Sequence, residues 1–118
     1  MKLVFPLGLL ALTLAATTAA ESTASSLSPS ARRGIAFAEQ RCAACHSVRA
    51  NGSSSNPEAP PWDDIANRPG TTQATLRAFL RDSHNYPEAM NFRVDARRIR
   101  DLAAYIVTLR KSDYRPIM

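Results

Sequence analysis

Beyond residue 20 the chain holds only 16 Leu, Ile, Val and Phe residues in 98 positions. That is below the roughly 20% at which a chain can build a core from its own large side chains. The 45% hydrophobic content of the full 118 residues is raised by alanine and by an apolar opening stretch. A chain of this kind is either disordered or folds around something that is not a side chain.

The opening stretch is read as a leader. Lys2 supplies a positive charge, Leu3 to Ala16 is apolar apart from Pro6, Gly8 and Thr13, and the small residues Thr17 to Ala20 follow. This is the layout of a secretory signal peptide over residues 1–20, with cleavage after Ala20, or after Ala24 as the alternative. The apolar run is shorter than the roughly 20 residues needed to span a bilayer. No cysteine stands near the exit, which argues against a lipid anchor there. The formal charge is +5, from 15 basic and 10 acidic side chains, without the long Lys/Arg runs of a nucleic-acid-binding arm.

The remainder reads as one domain. Residues 21–29 are Ser/Thr/Ala-rich and are expected to be flexible, 30–112 form the domain, and 113–118 a tail. Ser28-Pro29 is a cap followed by a first-turn proline, so a helix is expected from about Pro29 to about Cys42. Asn51 to Pro61 is a loop, and Asp63 to Ala66 has room for one helical turn. Arg68-Pro69-Gly70 is a turn. Thr71 or Thr72 caps a second main helix with Leu76, Phe79 and Leu80 on one face. His84 to Phe92 is a second loop. Asp95 caps the last helix, whose stripe is Ile99, Leu102, Ala103, Ile106 and Leu109. No segment alternates as a strand does. Three main helices joined by long loops make an all-α domain whose loops carry function.

Cys42-Ala43-Ala44-Cys45-His46 uses both cysteines of the chain and is C-x-x-C-H, the attachment sequence of c-type haem. Two thiols add across the two haem vinyl groups, and the next residue offers its imidazole to the iron from the same side. A buried porphyrin would also supply the missing core. Three other chemistries use such residues. A C-x-x-C redox pair belongs in a βαβ setting, which is absent. A structural disulfide is the second. A zinc site needs four ligands, for which Cys42, Cys45, His46 and His84 are the candidates.

The second axial ligand of a haem is most often Met or His. After the leader the thioethers are Met90 and the terminal Met118, and the only imidazole besides His46 is His84. Met90 lies in the loop between the second and last main helices, which can cross the opposite haem face. Met90 is therefore the expected ligand, with His84 or an open sixth position as alternatives.

The chain resembles a small bacterial class I cytochrome c over about residues 30 to 110. The resemblance rests on C-A-A-C-H, on Met90-Asn91-Phe92 before the last helix, and on D-L-A-A-Y-I-V-T-L from Asp101 to Leu109. It implies three main helices and long loops wrapped around one covalently bound haem. It further implies close packing of Gly34 on the first helix against Tyr105 on the last. A proline carbonyl from Pro57, Pro60 or Pro61 would accept the His46 ring proton. Two features depart from the family: Asn91 stands where a proline often follows the ligand Met, and the preceding loop is lengthened, His84-Asn85-Tyr86-Pro87-Glu88-Ala89-Met90.

Trp62 and Tyr86 are read either as haem contacts through their polar tips or as ordinary core aromatics. Arg93, Arg97, Arg98 and Arg100 gather at the start of the last helix, where they oppose the macrodipole. They form a solvated face or a docking patch for an acidic redox partner. The function expected is that of a periplasmic one-electron carrier, not an enzyme, with haem c on Cys42 and Cys45 and iron between His46 and Met90. Alternatives are a haem c subunit of a dehydrogenase or oxidase complex, and a haem protein that binds small ligands at an open site. Its partners would be redox proteins with acidic surfaces, without nucleic acid and without stable membrane insertion.

Overall fold

Four α-helices carry the fold in a computed structural model of the chain, in which residues 26–82 and 88–116 are described. Among these residues there is no strand, as the absence of alternation predicts. The expected leader, His84, Tyr86 and Met118 lie outside the described residues.

Helix α1 spans Pro29–Arg41. Ser28 caps it, its hydroxyl accepting from the Ala31 amide at 3.1 Å, and Pro29 occupies the first turn, where its missing N–H costs nothing. Leu27, just before the cap, packs partly against the core. The buried face of α1 is Ala31, Gly34 and Ala38. These small residues let another backbone come close.

That backbone belongs to α4, Ala96–Ile106, capped by the Asp95 carboxylate, which accepts from the Arg97 and Arg98 amides at 3.0 Å each. The helix continues as a tighter 3₁₀ turn over Val107–Leu109, so the expected stripe is preserved although the α-helix itself stops at Ile106. A Cβ on Gly34 would meet Tyr105 Cβ at 2.8 Å. The resemblance placed these two residues together, and the helices cross where they meet.

An ion pair fixes the same crossing. Asp101 on α4 is 2% exposed and accepts from Arg33 Nε at 2.9 Å, from a second Arg33 nitrogen at 2.9 Å, and from Ser30 Oγ at 2.6 Å. Both partners stand on α1. Two parallel guanidinium bonds give orientation as well as attraction.

The short helix α2 spans Trp62–Asn67, somewhat longer than the single turn expected, and Trp62, Asp63 and Ala66 are buried in it. Asn67 ties it to the segment that follows α4: its side-chain amide donates to Leu109 O at 3.4 Å, and its Oδ1 accepts from the Lys111 amide at 2.9 Å. Helix α3, Gln73–Arg81, starts at a capping box in which Thr72 and Thr75 each bond the other's backbone amide. Between the two, Gly70 adopts φ +79°, a left-handed turn conformation that favours glycine.

The side-chain core is as thin as the composition implies. Among the described residues, Ala31, Ala38, Ala59, Ala66 and Ala103 make up much of the buried apolar set. Of the α3 stripe only Leu76 is buried, and Phe79 is 46% exposed.

Candidate haem-attachment site

Cys42 closes α1: its amide still bonds Ala38 O at 2.8 Å, but its backbone leaves the helix. The chain then coils through one more turn, with the Cys45 and His46 amides both donating to Cys42 O, at 3.1 and 2.9 Å. The two thiols and the imidazole thus sit on one short, backbone-bonded turn at the end of a rigid helix.

This position weighs against thiol redox chemistry. A reactive C-x-x-C cysteine gains its thiolate from a helix N-terminus, whereas Cys42 stands at a C-terminus, where the helix dipole opposes negative charge. Burial pushes the Cys42 thiol up to about 11. Cys42 is half-buried against the core cluster and Cys45 is exposed. Among the described residues no three Cys, His, Asp or Glu side chains are grouped as a metal cluster.

His46 Nδ1 lies 2.8 Å from Pro60 O. A carbonyl only accepts, so Nδ1 carries the proton. In the neutral form this leaves the Nε2 lone pair free, the tautomer that binds iron. Of the three prolines open on sequence, Pro60 is the one that meets the ring.

The loop that delivers Pro60 is held by polar side chains. Ser47 N donates to Ser54 Oγ at 2.9 Å, Ser55 Oγ to Ala44 O at 2.6 Å, and the Asn56 amide to Cys45 O at 3.2 Å. Asn51, at φ 60°, turns the chain, and its amide donates to the buried Asp63 carboxylate at 2.8 Å. The Trp62 amide closes the loop on Ser47 O at 2.9 Å.

Trp62 is 5% exposed, with its ring centroid 6.3 Å from His46 and 6.2 Å from Tyr105. It is a core aromatic that also abuts the candidate iron ligand. Tyr105 Oη donates to Val48 O at 2.7 Å, and burial pushes the phenol up, so it stays a donor at neutral pH.

Met90 ends a 3₁₀ turn, Glu88–Met90, and is half-buried. Its carbonyl accepts from the Phe92 amide at 2.6 Å, turning the chain toward α4. A cavity of about 410 Å³ lies between Phe37 and Arg41 on the last turns of α1 and the segment Phe92 to Asp95. Its walls are thus the residues just before Cys42 and those just after Met90, so the fold brings the chain on either side of it together.

The four arginines of the expected patch differ. Arg93, Arg97 and Arg100 are exposed, whereas Arg98 is half-buried with its guanidinium 5.4 Å from the Phe37 ring centroid. Arg98 braces α4 against α1, and the other three face solvent.

The donor set fits a covalently held haem: two thiols and a correctly protonated imidazole on one turn, beside a core too thin for its own helices. A family model described as Cytochrome c matches residues 31–110. The chain is 33% identical over 91 residues to cytochrome c-552 of Bradyrhizobium diazoefficiens, covering 77% of this chain and 86% of that protein. No solved structure gave a significant match.

Proposed function

The chain belongs to the cytochrome c family, in its small class I form, and from that premise we propose that it is a periplasmic one-electron carrier with iron held between His46 and Met90. Members of the family carry haem c on C-x-x-C-H and pass electrons, and Cys42 and Cys45 are the attachment pair here. The observation that supports His46 as a ligand is the 2.8 Å contact of its Nδ1 with Pro60 O.

When bound, haem supplies the one-electron couple. The chain's residues supply the rest. Pro60 O keeps the His46 proton on Nδ1, so the imidazole needs no proton change as an electron comes or goes. Met90 offers a soft thioether, which favours the reduced iron and raises the potential. Two protein ligands kept in both oxidation states leave little rearrangement to oppose transfer.

The apolar stretch before Ala16 and the small residues up to Ala20 support export, and covalent haem attachment takes place outside the cytoplasm. Exposed Arg93, Arg97 and Arg100 support brief, charge-steered contact with an acidic partner.

Fractionation of expressing cells with a denaturing-gel haem stain tests this reading, together with a redox titration of the purified product. A stained periplasmic band and one reversible one-electron wave are expected. An unstained chain, or a haem protein that turns over substrate without a reversible wave, would contradict it.

A further inference from the structure

We infer that Trp62 is a positioning residue for His46: with Tyr105 behind it, it fixes the plane of the imidazole that Pro60 holds at one edge only. The inference rests on His46 being an iron ligand.

Three consecutive residues are each gripped by a different group. The His46 ring edge is bonded to Pro60 O at 2.8 Å, Ser47 O accepts from the Trp62 amide at 2.9 Å, and Val48 O accepts from Tyr105 Oη at 2.7 Å. The rings close the circuit. His46 to Trp62 is 6.3 Å between centroids at 54°, and Trp62 to Tyr105 is 6.2 Å at 51°. Both are tilted contacts within the range in which aromatic rings attract.

A single hydrogen bond to Nδ1 restrains the ring edge but lets the ring rock about the line through its bonded atoms. A large aromatic against the ring resists that rocking, provided it cannot itself move. Trp62 and Tyr105 are 5% and 4% exposed, and Tyr105 stands on α4, which is clamped to α1 by Arg33 and Asp101. The orientation of His46 is thus set from rigid elements rather than from the serine-rich loop alone. In an iron-bound imidazole the ring plane decides which d orbital its π system meets. Trp62 therefore acts on the electronic structure of the iron site without touching iron.

The test uses the ferric holoprotein and reads the paramagnetically shifted haem methyl resonances and the reduction potential. Trp62→Phe and Trp62→Leu are compared with Ile99→Ala, which truncates a residue buried outside the core cluster that contains Trp62. The methyl pattern and potential are expected to depart from the parent in the order Phe, then Leu, while Ile99→Ala lowers the melting temperature and leaves both in place. If Trp62→Leu yields no holoprotein, Trp62→Phe alone decides by the same pattern. A parental pattern in the Trp62 variants, or the same change in Ile99→Ala, overturns the inference. A parent protein with no histidine-ligated low-spin signature overturns instead the ligand assignment beneath it.

Discussion

A Cβ on Gly34 would stand 2.1 Å from the carbonyl oxygen of Asp101, deep inside van der Waals contact. The obstacle is backbone, which cannot swing aside as a long side chain can. Gly34→Ala should therefore push α1 off α4 and cost about 1–3 kcal/mol or more, the range of overpacked cores. Denaturant unfolding of the holoprotein checks this, and a variant as stable as the parent would contradict it.

The Arg33 guanidinium, followed by the Ser30 hydroxyl, holds the Asp101 carboxyl below its ordinary value against the opposing effect of burial. The folded-state pKa is thus lower than the unfolded one. The stabilisation is present above the ordinary carboxylate range and is lost as pH falls through the lowered value. Asp101→Asn should lower the melting temperature at pH 7 and flatten the acid limb of the stability curve. Arg33 is 43% exposed, so water screens the pair and the loss at pH 7 should be modest. A melting temperature at pH 7 equal to the parent's, with an unchanged acid limb, would contradict it.

The alanine-rich core makes folding depend on the haem. Replacing both Cys42 and Cys45 with Ala should leave no covalent haem and a chain that has lost most of its helix. Far-ultraviolet circular dichroism measures it, and full native helicity in the haem-free chain would contradict it.

Rates of electron exchange with an acidic partner should fall as ionic strength rises. Replacing Arg93, Arg97 and Arg100 with Gln should flatten that dependence. Arg98→Gln should mainly lower stability, because its guanidinium lies against Phe37. Stopped-flow rates over a salt series separate the two, and an unchanged slope in the triple variant would return these residues to a merely solvated face.

Signals that act over a few residues are legible in the sequence. Ser28, Thr72 and Asp95 each cap the helix they precede, and the C-x-x-C-H turn follows directly from α1. What escaped depends on pairing across the chain. Asp101 reads as one more charge on a helix until Arg33, 68 residues earlier, folds back on it. Pro60 could not be told from Pro57 or Pro61, because all three carry the same carbonyl and only the fold decides which one meets the ring. The loop from Ser47 to Pro61 has no periodicity, and its order comes from serine hydroxyls and from the buried Asp63, whose partners a pattern search does not reveal. Trp62, on sequence either a haem contact or a core aromatic, packs as core while lying beside His46.

Carbon monoxide binding to the ferrous holoprotein tests the ligand assignment most directly, with the parent, Met90→Ala and His84→Ala compared side by side. The parent and His84→Ala should keep a low-spin spectrum that the gas barely perturbs, and their ferric forms should keep the methionine–iron charge-transfer band. Met90→Ala should bind carbon monoxide at once, lose that band and show a lower reduction potential. Opening of the iron by His84→Ala but not by Met90→Ala, or ready binding by the parent itself, would contradict the assignment of Met90.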